Sequence, residues 1–239
     1  MSDALAYALV AALANVAGAL VVSHGATRGR VVIEYSVAFG AGFMLAVAIT
    51  EILPAAFQRS GASAPLLVLL GYLAVHLTQH TVTPHFHFGE ETHVVRPVAG
   101  MSALVGLLLH TFFDGVAIAS AFLVSPGLGV MVFLAILIHK LPEGLTIASL
   151  MMAAGWSGKE AVASAALLGI ATVAGVVLTD SIGFLVRHGL AVAAGVTLYV
   201  AASNLVPEFQ GKKGWKLPVA FFLGAATFFI TKTVLEAFL

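Results

Sequence analysis

LLLHTFFDGVAIAS, residues 107–120, and AILIHKLPEGLTIAS, residues 135–149, are near-copies of one another, each set inside a long apolar run. Both place a histidine and a carboxylate four residues apart, His110 with Asp114 and His139 with Glu143. Residues i and i+4 of a helix share a face. An ionisable side chain at mid-membrane costs about 2.5–3.5 kcal/mol on insertion scales, so two matched pairs need a compensating partner such as a divalent metal ion. The repeat therefore points to a metal site inside a membrane.

Composition supports the same class. The chain has 239 residues, 60% hydrophobic and only 9% charged, with a mean hydropathy of +1.05. That is too little polar surface for a water-soluble globule. The apolar runs are about 20 residues long and lack the ten-residue alternation of an outer-membrane barrel, which predicts an all-α integral membrane protein. Eight transmembrane helices are expected, at about 4–22, 31–57, 64–82, 98–124, 128–153, 160–178, 185–205 and 217–239, forming one transporter domain over 1–239. Gly and Pro clusters such as Ser60 to Pro65, Ser125-Pro126-Gly127 and Gly155 to Gly158 mark the joints.

Lysine and arginine set the orientation. With the odd-numbered connections in the cytoplasm, that side holds Arg28, Arg30, Arg96, Lys159, Lys212, Lys213 and Lys216, against Arg59 and Arg187 opposite. Both termini are then expected outside the cytoplasm, in a plasma (inner) membrane. A net charge of zero and the lack of a basic stripe argue against a nucleic-acid partner. With no cysteine, the thiolates favoured by Cu(I) are missing.

A second internal repeat aligns without gaps. AFGAGFMLAVAITEILP, residues 38–54, matches AVAAGVTLYVAASNLVP, residues 191–207, pairing Gly42 with Gly195 and Pro54 with Pro207. Spans two and seven are thus alike, as are spans four and five, and each pair runs in opposite directions. Inverted repeats of this kind belong to alternating-access transporters. Gly115 and Gly144, just after the carboxylates, are expected to let spans four and five approach closely.

HTFFDGVAIASAF and HKLPEGLTIASLM resemble the fourth and fifth transmembrane helices of the ZIP (Zrt/Irt-like protein) divalent metal transporters. GAGFML in span two and G-x-x-L-Y-V-A-x-x-N-L-V-P-E in span seven are also similar to ZIP signatures. The resemblance covers all eight spans in order. It implies an inverted 3+2+3 bundle, a metal site between helices four and five, homodimers, and a transport unit that moves against a scaffold. The metal is then a transported substrate, not a cofactor, and the lipid bilayer is the surrounding partner.

The donor set agrees with that reading. Two imidazoles and two carboxylates suit Zn(II), and also Cd(II), Fe(II), Mn(II) or Co(II), more than Mg or Ca. Two carboxylates would leave a bound divalent ion nearly neutral. In ZIP proteins with a two-metal centre, the positions after both histidines carry metal-binding polar groups; here they are Thr111 and Lys140. A charged ammonium cannot ligate metal. One ion per site is therefore expected, with Lys140 standing in for the second cation and pairing with Asp114 or Glu143.

Other polar residues carry weaker expectations. Met44 occupies a span-two position where some ZIP proteins supply a thioether, and is a weak candidate ligand; methionine in an apolar helix is usually packing. Glu51 and Asn204 hold equivalent places in the repeat and are candidates for the ion pathway, or equally interfacial residues. His76 and His80, four apart, would extend it. In the loop PHFHFGEETH, His85, His87 and His93 could collect metal, or be solvated and do little.

Two other classes compete. An intramembrane zinc-dependent hydrolase needs an open coordination position and a general base, and no H-E-x-x-H is present. A metal-selective channel would share the site without alternating access. The sequence favours a transporter, not an enzyme, moving a divalent metal toward the cytoplasm, the direction being implied by the family resemblance.

Overall fold

The computed structural model describes residues 2–24, 30–81 and 97–238. In these residues the chain is helical, without a strand. Helix is what a bilayer demands, because every backbone N–H and C=O must find its partner within the segment. The helices are α1 (Ser2–Ser23), α2 (Arg30–Val47), α3 (Leu53–Ser60), α4 (Ala64–Thr81), α5 (Pro97–Phe122), α6 (Pro126–Ala153), α7 (Gly158–Ser181), α8 (Gly183–Tyr199), α9 (Pro207–Gln210) and α10 (Lys216–Phe238). Large apolar side chains lie open on their outer faces, Leu13 at 67% and Phe222 at 68% exposure. Such faces suit lipid and not water.

Polar N-caps begin α6 and α7 where the sequence changes character. Ser125 accepts a hydrogen bond from the Leu128 N–H, with Pro126 in the first turn of α6. Ser157 and Glu160 close a capping box on α7. Among the described residues, seven stretches are long and apolar enough to cross a membrane. One of them, Glu34–Gln79, spans 46 residues, about twice the length one crossing needs. It contains a turn at Gly61, whose φ of +57° favours glycine, and a 3-10 turn over Gly61–Ser63. Helix α3 runs on to Ser60, past the Phe57 boundary expected for the second span.

α2 and α8 each pass into a π-helical turn, Ala48–Ile52 and Val200–Leu205. In the first the Leu53 N–H reaches the Ala48 carbonyl, and in the second the Val206 N–H reaches that of Ala201, both five residues back. A proline follows directly in each case, Pro54 and Pro207. Proline has no N–H to donate, and its ring pushes on the carbonyl four residues back, so widening the preceding turn relieves the clash.

The helices pack in intimate pairs. α1 lies on α6 and α7, α5 on α7 and α6, α2 on α10, and α4 on α8. A methyl at Gly144 would strike the carbonyl of Asn15, and one at Gly18 that of Leu141, so α1 and α6 touch backbone to backbone. α5 and α7 meet the same way, Gly115 against Thr172 and Gly175 against Phe112. Gly115 and Gly144 therefore do not draw α5 and α6 together, as the sequence suggested; they admit α7 and α1. One residue beyond a carboxylate the helix has turned about 100°, so each glycine faces away from the neighbour its carboxylate faces. Tyr7 of α1 closes one end of the core, with ring centroids 5.2 Å from Phe122 and 4.6 Å from Phe133.

Candidate metal centre

His110 and Asp114 project from one face of α5, and His139 and Glu143 from one face of α6. All four are buried, none more than 6% exposed. Each offers one ligand atom, and those four atoms lie within 4.8 Å of one another. His110 Nε2 is 3.4 Å from Asp114 Oδ2 and 3.4 Å from Glu143 Oε2; His139 Nε2 is 3.5 Å from Asp114 Oδ2 and 3.9 Å from Glu143 Oε2. Tetrahedral zinc with bonds of about 2.0–2.1 Å has ligand-to-ligand edges of about 3.3 Å. The quadrangle is thus close to a four-coordinate shell before any ion enters.

The backbone aims one of the imidazoles. His139 Nδ1 lies 3.0 Å from the Ala135 carbonyl, four residues back. A carbonyl only accepts, so Nδ1 donates to it and Nε2 is the nitrogen turned toward the carboxylates. His139 Nε2 and His110 Nδ1 are buried with no hydrogen-bond partner among the described residues. Buried polar atoms without partners are uncommon, and a bound cation would satisfy His139 Nε2.

Lys140 is wholly buried and turned into this site, its Nζ 2.7 Å from Asp114 Oδ2 and 3.1 Å from each Glu143 oxygen. It does not snorkel to the membrane surface. Counting the two carboxylates and the ammonium, the site carries −1, and a divalent ion would bring it to +1. The expectation of a near-neutral loaded site counted the carboxylates alone and left out this buried ammonium.

The remaining expected residues fall elsewhere. Thr111 is buried and donates to the Leu108 carbonyl of its own helix at 3.2 Å. Met44 is buried in the main core, on the helix α2 that also packs against α6. Glu51 accepts a 2.6 Å hydrogen bond from Lys232 of α10, and half-buried Asn204 stands in the other π turn. The His76 ring meets Tyr199 edge-on at 5.8 Å. His80 lies in the last turn of α4, and its side chain is outside the described set; His85, His87 and His93 lie outside the described residues altogether.

The sequence reading missed Asn15. It is 0% exposed, and its Nδ2 donates to Glu143 Oε1 at 2.9 Å. The available signal was a lone amide in the otherwise apolar run ALVAALANVAGALVV, residues 8–22, an expensive placement that asks for a reason.

A family model described as ZIP zinc transporter matches residues 89–232, which take in α5 to α9 and most of α10, including all four candidate ligands. No curated protein matches the chain.

Proposed function

Because the chain belongs to the ZIP zinc transporter family, an integral, multi-pass membrane family of metal transporters, we propose that it carries Zn(II), and with it Cd(II), Fe(II) or Mn(II), toward the cytoplasm by alternating access. The observation that carries this reading is the buried group His110, Asp114, His139 and Glu143, with its ligand atoms gathered within 4.8 Å between α5 and α6. We assign one ion to this site. Its two imidazoles and two carboxylates replace the hydration shell that the ion gives up, and Lys140 takes the place of a second cation. Met44 is a weak thioether candidate on the neighbouring helix.

The wider architecture is proposed on the same footing. The 46-residue stretch Glu34–Gln79 counts as two crossings, making eight in one domain, with both termini outside the cytoplasm of a plasma (inner) membrane. An inverted repeat is supported by the paired π turns before Pro54 and Pro207. It is supported as well by the reciprocal contacts that tie α1 to α6 as α7 is tied to α5. Glu51 and Asn204, one in each π turn, border the ion's route, with His76 and His80 extending it. His85, His87 and His93 collect metal at its cytoplasmic end. The chain works as a homodimer.

The test is zinc uptake into proteoliposomes, read by an internal metal-sensitive dye, for the wild type and His139→Ala, with Cd, Fe and Mn in parallel. Saturable uptake in the wild type and its loss in His139→Ala supports the carrier and its site. Absence of uptake for every metal by folded protein overturns it, and a non-saturating, electrodiffusive current makes the protein a channel.

A further inference from the structure

Asn15 sits on α1, outside the 89–232 segment that matches the family model, yet its amide reaches the centre of the site. Its Nδ2 donates to Glu143 Oε1 at 2.9 Å, and Lys140 Nζ approaches the same oxygen at 3.1 Å. The other oxygen, Oε2, faces His110 Nε2 at 3.4 Å and His139 Nε2 at 3.9 Å, with Lys140 Nζ at 3.1 Å from it as well. Lys140 touches both carboxylate oxygens equally, so the Asn15 amide on one side and the imidazoles on the other are what set them apart. The register is fixed by the main chain, because the Asn15 carbonyl lies where a side chain on Gly144 would be, next in sequence to Glu143. Asn15 Oδ1 is buried and has no hydrogen-bond partner among the described residues, although a buried amide oxygen normally finds a donor.

We infer that Asn15 is a positioning residue of the metal site: it occupies Glu143 Oε1, so that Glu143 offers the ion a single oxygen, and thereby makes α1 a determinant of metal preference. A carboxylate restricted to one oxygen favours a small, four-coordinate ion such as zinc. Without the amide, both Glu143 oxygens keep only the same Lys140 contact and Glu143 can offer either or both, which raises the coordination number and suits larger ions that accept more oxygen ligands, such as Mn(II) and Cd(II). Asn15 Oδ1 remains available to accept a hydrogen bond from a water molecule carried by the ion. The neighbouring Lys140 does not make this distinction between the Glu143 oxygens, because its ammonium lies 3.1 Å from Oε1 and Oε2 alike while it also holds Asp114 at 2.7 Å.

This inference rests on the proposed carrier function, and the experiment separates the two. Zinc, cadmium and manganese uptake is measured over a range of concentrations for the wild type, Asn15→Leu, Asn15→Ala and His139→Ala in proteoliposomes. Melting temperature in detergent reports folding. Leucine keeps the branched shape of the asparagine, at some added bulk, and removes its polar atoms; alanine removes them without adding bulk, so that one variant remains informative if the other packs badly. The expected result is a zinc KM raised about tenfold, as for loss of an outer partner of a metal ligand, with a smaller change for manganese and cadmium, so that the preference for zinc falls. Unchanged KM values, or an equal loss of maximal rate for all three metals at constant preference, would make Asn15 a packing residue and overturn the inference. If the wild type carries no metal at all, the carrier reading itself fails, and direct zinc binding to solubilised wild type and Asn15→Leu still decides whether the amide tunes the site.

Discussion

Lys140 Nζ lies 2.7 Å from Asp114 Oδ2 in a site where neither residue is more than 1% exposed. Such a pair is not there for strength, since bringing both charges out of water costs about as much as their attraction returns. Its consequence is that two carboxylates can share one small volume without metal. Removing one partner of a buried ion pair costs about 3–5 kcal/mol. Lys140→Met should therefore melt well below the wild type in chelator, and zinc should restore most of the loss, because the ion supplies the missing positive charge. Melting curves with and without zinc check this; equal destabilisation in both conditions would reduce Lys140 to packing.

Gly144 faces the main chain of α1 and has no room for a methyl, whereas nothing lies within 4 Å of a methyl placed at Gly211. Overpacking of this kind costs about 1–3 kcal/mol, and the obstructing atom here is a backbone carbonyl that cannot rotate aside. Gly144→Ala should lower the melting temperature and weaken zinc binding by separating Asn15 from Glu143. Gly211→Ala should do neither.

The grouping of the four candidate ligands was legible in the sequence because its information is local. His110 with Asp114 and His139 with Glu143 each follow from a four-residue spacing, and their duplication says that the two faces meet. What depends on docking was not legible in this way. Whether Lys140 turns inward or toward lipid is decided by Asp114 on another helix, and its inward turn changes the charge of the loaded site. Gly115 and Gly144 were assigned to the wrong neighbours, because a spacing of one residue hides a turn of about 100°. Asn15 reaches Glu143 only because α1 is seated against Gly144 across a sequence distance of 128 residues. The π turns arise from Pro54 and Pro207, whose equivalence was plain in the sequence, although the backbone's response to them was not.

Glu51 is held by Lys232 at 2.6 Å, and Glu34 is held by Lys212 at 2.9 Å, both pairs linking to α2 or the π turn that follows it. If Glu51 borders the ion's route, freeing it should help a cation approach. Lys232→Met should then lower the KM for zinc severalfold and Glu51→Gln should raise it, while Lys212→Met leaves it unchanged. The same shift in all three variants would remove Glu51 from the route and leave it as a tether for α10.

On the proposed alternating-access cycle, the charge carried by Lys140 should govern the response to voltage. With two carboxylates and one ammonium, the empty site moves as −1 and the loaded site as +1, whereas in Lys140→Met they move as −2 and 0. One elementary charge crossing 100 mV is worth about 2.3 kcal/mol. Isotope exchange with zinc saturating on both sides reports the loaded form alone, since the empty carrier is then scarcely populated. In the wild type an imposed potential of either sign gathers the loaded carrier on one side and should slow that exchange. In Lys140→Met the loaded site is neutral, and its exchange should ignore the potential. Equal voltage dependence in the two proteins would show that Lys140 does not travel with the ion as a charge, and the single-ion site would then have to be neutralised in some other way.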